Sequence, residues 1–269
     1  NAAISACEKS FQWQLALELF SAVTAMRLVP NCITCNAAIS ACEKGAQWQL
    51  ALELFHAMPA MQLMPDLITC SAAIGACDKG AQWQLALELF HAMPTMQLIP
   101  DDTACSAAIS ACEKGAQWQL ALSIFHSVQT GSDNPTEVDY NHILDVVFDH
   151  PVGHVMFQEA LDAGLYRNLF KKGSHTLDLH GCSVGSALWA VYCWLFQISQ
   201  QAPMIGNPGH KLTIITGYGK SRRDLQPSVV KAAVNQLLSI LGLPLVSQRN
   251  PGCLVINSAA LDMRFAHRF

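Results

Sequence analysis

Two short runs near the end of the chain bring together side chains able to do chemistry: Leu177-Asp178-Leu179-His180-Gly181 and Thr216-Gly217-Tyr218-Gly219-Lys220. An aspartate at a strand end can hold a divalent cation through oxygen, or orient an attacking group. A histidine two residues later suits a general base or acid. Glycines in the second run let backbone amides approach a phosphate, and Lys220, Arg222 and Arg223 add positive charge. Asp178 and His180 are the candidate catalytic pair, with Asp178 also the candidate ligand of Mg²⁺ or Mn²⁺. Thr216, Gly217, Gly219, Lys220, Arg222 and Arg223 are the candidate nucleic-acid contacts. Each has a structural alternative: Asp178 as a cap, His180 as a hydrogen-bonded structural histidine, the glycines as a turn that sterics require. His175 and His210 read as surface residues.

The charge distribution agrees with that placement. The net charge of −4 is an average over a gradient. Residues 1–136 carry 5 Lys and Arg against 11 acids, residues 137–162 carry 6 acids and no Lys or Arg, and residues 163–269 carry 11 Lys and Arg against 3 acids. Clustered basic charge is the footprint of phosphate binding, and it lies beside the two motifs.

Alternating strands and helices must position these residues. Residues 174–179 read as a short strand, 184–200 as a helix rich in Trp and Leu, 201–209 as a loop and 212–216 as a β-branched strand. Gly217-Tyr218-Gly219 is a tight turn, and Pro227 opens a helix ending near Gly242. Residues 245–246 and 253–257 look like two further short strands. That order predicts a small two-layer α/β sandwich over residues 174–269.

The first half is different. Asn1-Ala-Ala-Ile-Ser-Ala-Cys-Glu-Lys recurs from Asn36, Ser71 and Ser106, spaced by 35 residues, and a degenerate fifth copy starts at Asn141. A fixed period of this size predicts a stacked solenoid. Within one unit, residues 33–44 form a helix that ends at Gly45, and residues 46–58 form a second, with Leu50, Ala51, Leu54, Phe55 and Met58 on one face. Trp13, Trp48, Trp83 and Trp118 invite a base-stacking role but read as packing residues beside that stripe. Asn1 falls inside a unit, so the chain reads as a fragment, with an array over 1–136 and a degenerate unit plus linker over 137–173.

Most of the 11 cysteines belong to the same repetition. Cys7, Cys42, Cys77 and Cys112 are one position, Cys35, Cys70 and Cys105 another, all among Ala and Ile where free Cys behaves as a small hydrophobe. Cys32 and Cys35 form a lone CxxC, weak evidence for zinc. No run of 18 or more apolar residues occurs, so no membrane span is expected.

The 35-residue length, the Ala-Leu-Glu-Leu-Phe-x-x-Met run and the closing Pro-Asp resemble the pentatricopeptide repeat family over about residues 1–171. Gln62 and Gln97 depart from it, standing where the family usually has Gly. The resemblance implies that one residue of the first helix and the last residue of the unit select one RNA base. By position these pairs are Asn1 with Asn31, Asn36 with Asp66, Ser71 with Asp101, and Ser106 with Thr136. They imply a tract of pyrimidine, uracil, guanine and purine, 5′ to 3′, read at Watson–Crick edges of a single strand. The alternative is that Asn36 and Ser71 are polar residues on a solvated face and Asp66 a helix cap. The cations Lys44, Lys79 and Lys114 are nearly the only ones in this acidic array.

The LDLH and TGYGK runs, with the ending Arg249-Asn-Pro-Gly-Cys-Leu-Val, resemble the small MutS-related domain in the form fused to such arrays. Ser221-Arg222-Arg223 stands where that family commonly has His-Ser. The resemblance implies single-stranded RNA as partner, no small-molecule substrate, and a chloroplast or mitochondrial location. Three function classes follow: a metal-dependent RNA endonuclease, a non-catalytic RNA-binding adaptor that stabilises transcripts or aids translation, and a protein–protein scaffold.

Overall fold

The computed structural model describes residues 1–26, 28–129, 135–170, 175–201, 211–217, 228–246 and 252–257. These divide into two compact units, Asn1–Asn134 and Pro135–Phe269.

The first unit is four antiparallel helix pairs: α1 (Ala2–Lys9) with α2 (Trp13–Ala25), α3 (Cys32–Lys44) with α4 (Trp48–Ala57), α5 (Leu67–Lys79) with α6 (Trp83–Ala92), and α7 (Asp102–Lys114) with α8 (Trp118–Gln129). First helices pack on one another, α1 on α3, α3 on α5 and α5 on α7, so each pair completes its core on its neighbours. Ala38, Ile39, Ala41 and Cys42 of α3, and their counterparts Ala73, Ile74, Ala76 and Cys77 of α5, are fully buried. Burial pushes the Cys42, Cys77 and Cys112 thiols up to about 11, as expected of cysteines acting as hydrophobes.

The turn between paired helices departs from the sequence expectation in an instructive way. Gly45 has an ordinary φ of −86°, and the left-handed residue is Ala46, with φ 54°. Ala81 (φ 56°) and Ala116 (φ 52°) repeat it. Glycine is required one position earlier for a different reason: a Cβ on Gly45 would lie 2.4 Å from Trp13 Cδ1. Gly80 meets Trp48 and Gly115 meets Trp83 in the same way. The repeated tryptophans therefore pack onto the next unit's glycine, which supports their reading as packing residues. Residues 59–61 and 93–96 add a 3₁₀ turn after α4 and α6, and these end at Gln62 and Gln97, both left-handed at φ 60°. Glycine adopts that conformation without steric cost, which accounts for the family's preference there.

The second unit opens with the fifth helix pair, α9 (Glu137–Val146) and α10 (Val152–Asp162). Then follow β1 (Thr176–Asp178), α11 (Val184–Gln201), β2 (Lys211–Ile215), α12 (Val229–Ile240) and β3 (Cys253–Asn257). The strands form one sheet in the order β1-β2-β3, with β1 parallel and β3 antiparallel to β2. Alternate residues Leu212, Ile214, Leu254 and Ile256 are fully buried, together with Ala187, Ala190, Val191 and Leu195 of α11 and Val234 and Leu238 of α12. Helix α11 packs on α9, α10 and α12. Strand β1 is shorter than expected; residue 174 lies outside the described residues, as does most of the expected loop over 201–209. Leu245 makes a single bridge to Ile256 instead of a strand. The α12 helix starts at the Ser228 cap, whose hydroxyl accepts from the Lys231 N–H.

Candidate nucleic-acid interface

The last residue of each unit is the N-cap of the next first helix. Asn31, Asp66 and Asp101 accept the backbone N–H three residues on, from Thr34, Thr69 and Ala104, at 2.8–2.9 Å. Thr136 accepts from Asp139 N at a longer 3.4 Å. A cap needs a side-chain oxygen folded back onto the helix start, which fixes the rotamer of that residue. The helix cap and the position to which the resemblance assigns base selection thus coincide in one side chain, already held by the capping hydrogen bond.

Each cap then meets the first-helix residue that the repeat register pairs with it. Asn36 Nδ2 donates to Asp66 at 3.0 Å from both carboxylate oxygens. Thr69 Oγ1 bridges the same two residues, 2.6 Å from Asn36 Oδ1 and 2.8 Å from Asp66 Oδ1. Ser71 Oγ lies 3.1 Å from Asp101 Oδ1 and also donates to Leu67 O at 2.8 Å. Asn1 and Asn31 are joined indirectly through the Thr34 hydroxyl, which is hydrogen-bonded to Asn1 Oδ1 and 2.8 Å from Asn31 Oδ1. Ser106 and Thr136 fall in different compact units. Asn36 and Ser71 are only 9% and 7% exposed, so they are not residues of a solvated face. Burial raises the Asp66 pKa, but hydrogen bonds from the Thr69 N–H, Asn36, the Thr69 hydroxyl and the Ile68 N–H outweigh it and hold the carboxyl below its usual range.

Two features here escaped the sequence reading. Thr34 and Thr69 bridge the pairs from the third position of the helix, where α7 has Ala104; the repeat alignment contains that signal. Ile33 and Ile68, at the second position, are about three-fifths exposed although large and apolar, at 61% and 62%. They offer apolar surface beside each pair, suited to the face of a base.

The three cations that repeat along the array are committed elsewhere. Lys44, Lys79 and Lys114 pair with Glu8, Glu43 and Asp78 of the preceding unit at 2.7, 2.8 and 2.9 Å.

In the second unit, the parallel register sets Asp178 beside Ile215, so both motifs emerge from the same ends of β1 and β2. Asp178 is buried; its Oδ1 accepts the His180 N–H at 3.1 Å and lies 2.5 Å from His180 Nδ1. A carboxylate on Nδ1–H leaves Nε2 as the basic nitrogen of a neutral ring. The His180 side chain is 64% exposed, which suits a reacting group better than a structural histidine. A Cβ on Gly217, whose φ is +74°, would stand 3.0 Å from that Nε2. Thr216 is buried and bonds the Gly252 carbonyl through its N–H (3.0 Å) and its hydroxyl (3.3 Å), which makes it a strand-end anchor. Gly219, Lys220, Arg222 and Arg223 lie outside the described residues. Among the described residues, no group of three or more His, Cys, Asp or Glu could hold a metal ion. A divalent cation at Asp178 would therefore have to complete its shell with phosphate oxygens and water, an arrangement Mg²⁺ accepts.

Comparison with known proteins supports the array directly. Residues 18–80 match the pentatricopeptide repeat domain. Two pentatricopeptide repeat-containing proteins of Arabidopsis thaliana are similar to the chain. One is 28% identical over 104 residues, covering 37% of this chain and 12% of the relative. The other is 32% identical over 87 residues, covering 32% and 10%. The chain thus spans about a tenth of the length of these relatives. The crystal structure of nuclear proteinaceous RNase P 2 from A. thaliana shares the helical-repeat fold, with a TM-score of 0.54 at 11% identity, over 89% of this chain and 57% of that one. No helix among the described residues is long and apolar enough to cross a membrane.

Proposed function

We propose that the chain binds single-stranded RNA sequence-selectively, one base per repeat, through the Asn1/Asn31, Asn36/Asp66 and Ser71/Asp101 pairs, with Ser106 reading the fourth base. The observation that carries this reading is the direct contact of Asn36 with Asp66, with Ser71 and Asp101 repeating it one unit on. The chemistry follows from the groups. An ionised carboxylate only accepts hydrogen bonds, so it favours a base whose Watson–Crick edge carries a ring N–H: uracil or guanine, not cytosine or adenine. The Asn36 amide has a second hydrogen to offer a uracil carbonyl. Exposed Ile33 and Ile68 supply apolar contact to the base faces. The site of action is a chloroplast or mitochondrion, as the family resemblance implies.

The second unit is read as a small MutS-related domain that cleaves the bound RNA. The exposed, carboxylate-oriented His180 favours this. Its Nε2 takes the proton of the attacking hydroxyl as that oxygen bonds to phosphorus. The bond to the leaving oxygen then breaks, and that oxygen takes a proton from solvent. Asp178 holds the imidazole tautomer and stabilises the imidazolium that forms. The basic segment 163–269 supplies the attraction for phosphate that the array lacks. The competing reading is an adaptor that binds RNA without cutting it; the sparse set of metal-ligating groups among the described residues favours it.

End-labelled RNA containing pyrimidine-U-G-purine, incubated in Mg²⁺ and in EDTA with the wild-type chain and Asp178→Ala, tests both. A discrete product lost in Asp178→Ala establishes cleavage, and its survival or loss in EDTA decides the role of the metal. Retarded but intact RNA establishes the adaptor. RNA that is not retained at low ionic strength refutes the proposal and leaves the scaffold reading.

A further inference from the structure

The 35-residue register 36, 71, 106 continues to Asn141, so the fifth helix pair also has a base-reading position. That position is occupied by its own domain. Asn141 Nδ2 donates to the Gly181 carbonyl at 2.9 Å. Its Oδ1 accepts from Ser186 Oγ at 2.6 Å, from the Tyr166 hydroxyl at 2.9 Å and from Ser183 N at 3.3 Å. Ser183 Oγ donates to the Asn141 carbonyl at 3.2 Å. Ser186 is fully buried and Tyr166 nearly so.

The neighbouring geometry shows a built contact. Gly185 N donates to Asp145 Oδ1 at 2.5 Å, and a Cβ on Gly185 would lie 2.2 Å from the Leu144 carbonyl. The start of α11 thus meets α9 closely enough to require glycine. Tyr166 sits at φ 56°, a costly conformation for an aromatic residue. It is pinned at both ends by α9, its N–H to Glu137 Oε1 at 3.0 Å and its hydroxyl to Asn141. Gly181, which Asn141 grips, is the residue after His180 and has φ +85°. The turn carrying His180 is therefore held on one side by Asp178 and on the other by Asn141.

We propose that Asn141 is a positioning residue for His180 and not a nucleotide ligand: the fifth unit clamps the His180 turn, and the RNA tract read by the array ends with the unit that begins at Ser106. This rests on the reading of the array as an RNA binder and of His180 as the base. Asn141→Asp isolates the clamp, because it keeps an acceptor for Ser186, Tyr166 and Ser183 and loses the donor to Gly181.

The test uses the full chain and two readouts. In Asn141→Asp and Asn141→Ala, the NMR signals of the His180 imidazole move from their wild-type positions, and kcat for cleavage falls about tenfold with KM unchanged. In the wild type, changing the nucleotide that follows the four-base tract leaves RNA affinity unaltered. His180 signals unmoved in both variants, or a preference of about tenfold for one base at that fifth place, would overturn the proposal. A chain that never cleaves RNA removes His180 as a base, while the imidazole signals still decide whether Asn141 positions the ring.

Discussion

Asn36 and Asp66, thirty residues apart in sequence, meet with the amide nitrogen 3.0 Å from both carboxylate oxygens. Each side chain is already oriented by something else, Asp66 by capping α5 and Asn36 by its hydrogen bond from Thr69. A pair pre-set in this way would lose little conformational freedom on binding the base proposed for it.

The same contact makes stability depend on acidity. The folded-state pKa of Asp66 is depressed, so its stabilisation is full above the unfolded carboxyl value of about 3.9 and is lost as pH falls through the folded value. Asp66→Asn is therefore less stable than wild type at neutral pH, and the gap closes under acid. Urea midpoints of both chains at pH 7 and at about pH 3 measure it.

Gly45, Gly80 and Gly115 each leave room for the tryptophan of the preceding unit. Gly45→Ala drives a methyl group into the Trp13 ring and destabilises the chain by about 1–3 kcal/mol. Trp13→Leu combined with Gly45→Ala recovers part of the loss. Denaturant melts of the single and double variants check this.

The left-handed residues predict the opposite effect at adjacent positions. Ala46, Ala81 and Ala116, all exposed, and Gln62 and Gln97 adopt a conformation costing a side chain about 1 kcal/mol. Replacing any of them by Gly raises the thermal midpoint, and the substitutions add because the sites are separate.

The lysine ladder is predicted to be silent towards phosphate. Lys44, Lys79 and Lys114 are each paired to an acid one unit back. Lys79→Ala and Lys114→Ala leave the slope of log affinity against log salt unchanged, whereas each phosphate ligand removed lowers that slope by about 1. Salt titrations of RNA binding distinguish the two.

The solenoid was legible because Asn36, Ser71 and Ser106 mark its period without ambiguity, and local pattern fixes a helix pair. The Trp13–Gly45 contact was not, since Gly45 also satisfies the usual logic of a helix end and only packing shows that the left-handed residue is Ala46. For the proposed base-reading pairs, repeat register gave Asn36 and Asp66, while the Thr69 bridge emerged from the hydrogen bonds. At the second site, the motifs located Asp178, His180 and Gly217 correctly relative to strand ends. The role of Asn141 was hidden, because its partners Tyr166, Gly181, Ser183 and Ser186 lie 25 to 45 residues away and share no pattern with the repeats.

The central claim is that a first-helix residue and a cap residue jointly choose a base, and a change of preference tests it most directly. Ser71→Asn, with Asp101 kept, places the Asn and Asp of the Asn36/Asp66 pair at the same positions in the next unit. Competition binding with RNAs that differ only at the third tract position measures the outcome. The account predicts that the preference moves from guanine to uracil by about tenfold, with affinity for the preferred RNA retained. An unchanged preference for guanine, or equal binding of all four bases by both chains, would contradict it.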